Sequence, residues 1–186
     1  MSSGIDTKEY GYVNRQSMRL NGYDYSRPGV YFVTISVQDR ECLFGIIENR
    51  KVVLNKYGKI AYSEWIKTEQ IRNEIKLDEF VIMPNHIHGI IIIYNTDTIP
   101  VGANGRSPLR NNSRIQMKPK SISSFIAGYK SSVTKQINIM RKTPGNPVWQ
   151  RNYYDHIIRS EGELNSIRQY IIDNPVNWGS DENHIE

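Results

Sequence analysis

The spacing of apolar and polar positions divides the chain into short strands and longer helices. GVYFVTISVQ, from Gly29 to Gln38, is rich in β-branched and aromatic residues and alternates with small polar ones, which predicts a strand. RKVVLN at 50–55 predicts a shorter one. Over 56–72 the period lengthens, with Ile60, Trp65 and Ile66 set among charges, as in an amphipathic helix. IKLDEFVIMP and NHIHGIIIIY, at 75–84 and 85–94, are strand-like again, and Pro84-Asn85 between them predicts a turn or kink. In SISSFIAGYKSSVTKQINIMRK, residues Ile122, Phe125, Ile126, Tyr129, Val133, Ile137 and Met140 fall at helical spacing, and TPGNP ends the helix. Ser160 and Glu163 form a capping box for a last helix with the stripe Leu164, Ile167 and Ile171, stopped by Pro175. Several strands around two or three helices, with an antiparallel hairpin at the centre, predict a two-layer α+β domain.

Length fits this pattern: 186 residues suit one domain over 1–186. A polar N-terminal arm covers 1–27. A loop over 95–120, rich in Pro, Gly, Asn and basic residues, shows no periodicity. No stretch approaches the ~20 apolar residues that span a bilayer, and the N-terminus has no apolar signal region. The one cysteine, Cys42, excludes an internal disulfide and a cysteine-rich metal site, and is expected to be a small buried residue. A membrane partner is not expected, and the setting is a reducing cytoplasm.

Charge changes the picture more than composition does. Residues 101–160 hold eleven Lys and Arg against one acid, Asp155, whereas 161–186 hold one Arg against six acids. A concentrated basic segment favours a polyanion, because each neutralised phosphate releases counterions. The alternative is a solvated basic face.

Candidate chemistry begins with His86 and His88. In a strand they point the same way while Ile87 points the other, so two imidazoles sit side by side in reach of one divalent ion. The alternative is one histidine hydrogen-bonded in the core and one at a sheet edge. Two polar rings among Ile, Met and Gly need a shared partner, since each unpaired buried polar group costs ~1–3 kcal/mol. Tyr170 and Asn174 stand four residues apart, on one helical face, offering a phenolic and an amide oxygen to one spot. Asn174 is alternatively a helix cap, and Tyr170 core. Tyr129, a rival tyrosine, has the spacing of a buried stripe. Lys130 lies just outside that stripe, placed for a phosphate. In WQRNYYDHIIR the alternatives are a packed aromatic cluster and a surface for unpaired bases; Arg151 and His156 are expected near nucleic acid.

Three blocks, RLNGYDYSRPGVYFVTISVQDRECLFG, FVIMPNHIHGIIII and PVWQRNYYDHIIR…YIIDNPVNW, make the chain resemble the REP-associated tyrosine transposases, of the single-tyrosine HUH superfamily. The resemblance spans nearly the whole chain. It implies a ferredoxin-like (RRM-like) sandwich, with a central antiparallel sheet and helices packed on one face. It implies that His86, His88 and Asn174 bind Mg²⁺ or Mn²⁺ and that Tyr170 is the nucleophile. Attack by a tyrosine rather than water yields a covalent 5′-phosphotyrosine and a free 3′-OH, so the strand can be rejoined without ATP. The implied partner is single-stranded or hairpin DNA, bound by a monomer or homodimer at the nucleoid. By the same analogy Arg15 and Arg19 contact a hairpin stem. The competing readings are a domesticated nucleic-acid-binding module without catalysis and a replication-initiator-like nuclease; the intact His86, His88, Tyr170 and Asn174 set argues against the first.

Overall fold

The computed structural model describes residues 24–94, 120–181, 183 and 184. Along these residues run β1 (Gly29–Ser36), β2 (Gly45–Glu48), β3 (Lys51–Leu54), α1 (Lys56–Ile71), β4 (Ile75–Ile82), β5 (His86–Ile93), α2 (Ile122–Arg141), β6 (Tyr154–Ile158) and α3 (Glu161–Asp173). Arg15 and Arg19 lie outside the described residues, as do most of the N-terminal arm and of the basic loop.

Four strands form one antiparallel sheet in the order β4-β5-β1-β6, and β2 and β3 form a separate hairpin. Strand parity then sorts side chains between two faces. Tyr31, Val33 and Ile35 of β1 and Ile87 and Ile91 of β5 point to the face covered by α1 and α2. There Trp65 of α1 meets Phe125 and Tyr129 of α2 edge-on. Gly89 belongs to the same face: a Cβ at that position would stand 2.4 Å from the Trp65 ring. Absence of a side chain at Gly89 is what lets the indole lie against the middle of β5.

The predicted two-layer sandwich, with α1 and α2 on one face of a central antiparallel sheet, is the observed architecture. α3 adds to it on the opposite face, where Phe32, Ile90 and Ile158 pack against Ile171, Leu164 and Ile167. Its apolar stripe is narrow, so it covers only part of that face.

Local signals explain the helix starts. Asn55 Oδ1 accepts from the N–H groups of Tyr57 and Gly58, Ser121 Oγ from Ser124, and Ser160 Oγ from Glu163. Glu163 departs from the expected box: its carboxylate takes the Arg159 N–H at 2.8 Å and the His156 ring at 2.6 Å. A bulge in β4 between Leu77 and Phe80 turns Asp78 toward α3, where Arg168 grips it with two nitrogens at 2.8 and 2.6 Å. Two polar clamps therefore hold α3 to the sheet edges, one to β4 and one to β6.

Three details differ from the sequence reading. β2 and β6, four and five residues long, were not read from the sequence. Met140 falls outside the buried stripe of α2 and is exposed. Cys42 is exposed, in the irregular stretch between β1 and β2. Among the described residues, no helix is long and apolar enough to cross a membrane.

Candidate active site

β4 and β5 are joined by a tight turn in which the Met83 N–H donates to the His86 carbonyl at 2.8 Å. This turn, through Pro84 and Asn85, starts β5 with its first side chain on the α3 face. His86 and His88 are therefore neighbours there, with ring centroids 4.4 Å apart. They are 0% and 2% exposed. Desolvation on burial pushes His86 down to about 4 and His88 down to about 3. The Asp181 carboxylate opposes the shift in both. Both rings are thus neutral near pH 7, the form that binds metals.

The surroundings fix which nitrogen of each ring is available. Asn85 donates both hydrogens of its amide, to the carbonyls of Arg40 (3.1 Å) and Asn183 (2.6 Å). Its Oδ1 is left to accept from His86 Nδ1 at 2.8 Å. His86 Nε2 then carries a lone pair, and it has no hydrogen-bond partner among the described residues. His88 Nδ1 meets Thr34 Oγ1 at 2.9 Å, and its Nε2 meets the Tyr170 hydroxyl at 3.2 Å. With the phenol donating to Nε2, the ring proton rests on Nδ1 and is given to Thr34. Both Nε2 atoms face one point, and both Nδ1 atoms are tied by partners that hold the rings, a recurring feature of metal-binding histidines.

α3 and the turn after it complete the site. Tyr170 is 47% exposed, with its ring edge-on to Phe32 and to His88. Asn174, at the C-cap of α3, is 2% exposed. Asn174 thus stands at the C-cap with its side chain between Asp181 and His86. Its Nδ2 donates to Asp181 Oδ2 at 2.8 Å, which turns Oδ1 away. That Oδ1 is buried without a hydrogen-bond partner among the described residues, close enough to act on His86 without hydrogen-bond geometry. Burial raises the Asp181 carboxyl, but the Asn183 N–H and the Asn174 amide outweigh this and leave it below the usual range. Donor atoms of His86, His88 and Asp181 all lie within 4.8 Å of one another. Trp178, in a 3₁₀ turn, stacks on His86 and is itself packed edge-on by His184.

Sequence reasoning brought His86, His88, Tyr170 and Asn174 to one spot, and the fold brings them together. It missed Asp181, Asn85, Trp178 and His184. Asn85 adjoins His86 in an apolar run and was the readable signal. Asp181 stands in an acidic tail that looks like solvated surface, so nothing local marks it.

The other expected residues are placed elsewhere. Tyr129 is 3% exposed on the opposite face of the sheet; its hydroxyl donates to the Ala61 carbonyl at 3.0 Å, and burial pushes its pKa well up. It is core, as its spacing implied. Lys130 is on α2, also on that other face, and its ammonium donates to the carbonyls of Gln150 and Asn152, each at 2.8 Å. The expectation of a phosphate contact gives way here to an internal clamp, and burial lowers Lys130 to about 8. His156 is on the α3 face but engaged with Glu163. Arg151 is exposed in the segment before β6. Asp155 points to the face opposite His156, so the two form no acid–base pair.

No family model matches the chain. An uncharacterized protein of Haemophilus influenzae is 36% identical over 181 residues, covering 95% of this chain and 96% of that one. The chain belongs to the same family as that Haemophilus protein. A solved structure of a REP-associated tyrosine transposase bound to a REP hairpin superposes with a TM-score of 0.57 at 19% identity, over 89% of this chain and 77% of that one. This likeness shows a shared fold, the one the sequence resemblance implies.

Proposed function

We propose that the chain is a metal-dependent, transposase-type nuclease that nicks and rejoins single-stranded DNA next to a short hairpin, with Tyr170 as nucleophile. One observation carries the reading: an accessible tyrosine with its hydroxyl 3.2 Å from a buried histidine, beside two buried acceptors, His86 Nε2 and Asn174 Oδ1, without hydrogen-bond partners among the described residues. A buried polar atom without a partner costs ~1–3 kcal/mol, so two of them converging suit a missing ligand.

The residues fit a divalent ion. His86 and His88 would hold it with Asn174, and Asp181 adds a carboxylate at the same spot. Mixed imidazole and oxygen donors suit Mn²⁺ better than Mg²⁺, which favours oxygen alone. When bound, the ion polarises a phosphodiester oxygen and orients the scissile bond. The chain's own groups do the rest. Tyr170 attacks phosphorus, forming the O–P bond of a 5′-phosphotyrosine as the bond to the 3′ oxygen breaks. In the resting site the Tyr170 hydroxyl donates to His88 Nε2; with that nitrogen on the ion the phenolic proton would pass to solvent, and the departing 3′ oxygen would take a proton from solvent and leave as a 3′-OH. Asn85 and Thr34 keep the two rings in orientation.

Several facts support the substrate class. Eleven basic residues against one acid between 101 and 160 favour a polyanion. The similarly folded transposase was solved with a hairpin bound. Arg151, exposed before β6, is proposed for the DNA backbone; Arg15 and Arg19 are proposed for the stem on sequence alone. A labelled hairpin oligonucleotide with a single-stranded flank and Mn²⁺ should yield a fragment ending in a 3′-OH and a fragment covalently attached to protein. Affinity should fall steeply with salt. Binding without cleavage, across hairpins and metals, would instead identify a non-catalytic binding module.

A further inference from the structure

β6 carries an exposed aromatic that neither the core nor the reacting set uses. Tyr154 pairs with Thr34 on one side of β1, and Thr34 pairs with His88 on the other. Tyr154, Thr34 and His88 thus form one row across the sheet, on the face that bears Tyr170. With strands ~4.8 Å apart, Tyr154 stands roughly 10 Å from His88 along the row, the distance of a neighbouring nucleotide rather than of the reacting phosphate.

Its ring is accessible and yet fixed. Tyr154 is 40% exposed, and it meets Phe32 edge-on at 6.2 Å. Phe32 in turn stacks on His88 at 5.4 Å and meets Tyr170 edge-on at 6.1 Å. One buried ring therefore sets the position of three others, two in the reacting set and one outside it.

The approach to β6 is built as a bulge. From the Val37–Trp149 bridge to the Thr34–Tyr154 pair, β1 advances three residues while its partner advances five. The surplus is held in shape by Lys130, which grips the carbonyls of Gln150 and Asn152, and by the Trp149 indole N–H, which donates back to the Lys130 carbonyl at 3.2 Å. Arg151 is exposed between the two gripped carbonyls. The only acid of the basic segment, Asp155, is turned to the opposite face. An accessible aromatic three residues along the chain from an exposed arginine, on a basic stretch, matches the stacking-plus-phosphate composition of single-strand binders.

We propose that Tyr154 is the stacking platform for an unpaired base next to the reacting phosphate, with Arg151 on the backbone of the same flank. The proposal rests on the single-stranded DNA reading of the site and adds the residue that makes the site require an unpaired neighbour.

The test uses the full chain and hairpin oligonucleotides with an unpaired flank, 2-aminopurine replacing each flank base in turn. Wild-type protein and Tyr154→Phe should quench the fluorophore at one flank position. Tyr154→Leu, which keeps apolar volume on Phe32 but has no ring, should lose that quench and bind the flank about five- to a hundred-fold more weakly. It should keep wild-type Mn²⁺ binding and wild-type affinity for the hairpin without a flank. A quench that persists in Tyr154→Leu overturns the platform, as does an equal loss of affinity with and without the flank. Wild-type protein that binds and cleaves with no quench at any position overturns the platform alone and leaves the nuclease reading standing. Wild-type protein that binds none of these DNAs overturns both.

Discussion

The two faces of the sheet are built from the same four strands and solve opposite problems. On the α1–α2 face, Tyr31, Val33, Ile87, Ile91 and Trp65 are fully or almost fully buried, and even the tyrosine hydroxyl of Tyr129 finds a carbonyl. On the α3 face only Phe32, Ile90, Ile158 and Ile171 make a small buried cluster, and beside it lie buried histidines, an amide and an accessible tyrosine. Tyr129 and Tyr170 show the contrast in one residue type. Each is on a helix packed against the sheet, but one is sealed among aromatics and pushed toward its neutral form, and the other reaches a histidine while open to solvent. The first face supplies most of the apolar burial, which offsets the cost of burying two histidines and an amide on the second.

Acid should separate the faces most strongly. His86 and His88 have folded pKa values of about 4 and about 3, below the ordinary 6.5. Between 6.5 and those values the unfolded chain takes up protons that the folded chain refuses. Their contribution is therefore complete above about 6.5 and is lost as pH falls through 4 toward 3. Urea denaturation across this range should show a slope between pH 6.5 and 5 that is much smaller in His86→Gln/His88→Gln. Equal slopes in the two proteins would contradict neutral buried rings.

Truncating the sealed face comes next. Trp65→Ala should cost about 3–5 kcal/mol, because the indole is enclosed by Gly89, Phe125 and Tyr129. Ile171→Ala, in the smaller cluster, should cost about 2 kcal/mol and also loosen Tyr170. Chemical denaturation of the two variants checks the order, and a larger loss at Ile171 would invert the assignment of faces.

Saturating Mn²⁺ should raise stability, by about 2.7 kcal/mol at a hundred times the dissociation constant. Calorimetry should find one site, weakened strongly in His86→Ala/His88→Ala and less in Asn174→Ala. Unchanged affinity in the histidine variant would remove the metal from the account. The smallest effect is expected at the clamp on α3. Arg168→Met breaks a bidentate pair with Asp78 that is partly open to solvent, so urea denaturation should show only a small loss, less than that of Ile171→Ala. A loss larger than that of Ile171→Ala would mean that the pair, and not the apolar stripe, seats α3.

Much of this was legible because it depends on periodicity. The helical spacing of Ile122, Phe125, Ile126, Tyr129, Val133 and Ile137 gave α2 its buried side and Tyr129 its place in the core. The single residue between His86 and His88 put both rings on one face. Ser160 and Glu163 marked the start of α3. What stayed hidden depends on contacts between distant segments. Lys130 looked like a phosphate ligand because spacing places it off the stripe, yet the bulge before β6 supplies two carbonyls that no local pattern announces. Asp181 reaches the histidines only because the turn after α3 folds back over β5. β6 was missed because Tyr154, Asp155 and His156 make more than half of it polar, leaving no apolar run or clean alternation to mark a strand.

The most direct test of the account is the identity of the tyrosine that becomes linked to DNA. Wild-type protein, Tyr170→Phe and Tyr129→Phe should be incubated with a labelled hairpin oligonucleotide and Mn²⁺, denatured, and mapped by peptide analysis. The account predicts an adduct on the peptide containing Tyr170, retained in Tyr129→Phe and absent in Tyr170→Phe, which should still fold and bind DNA. An adduct that survives Tyr170→Phe, or label on the peptide containing Tyr129, would contradict it.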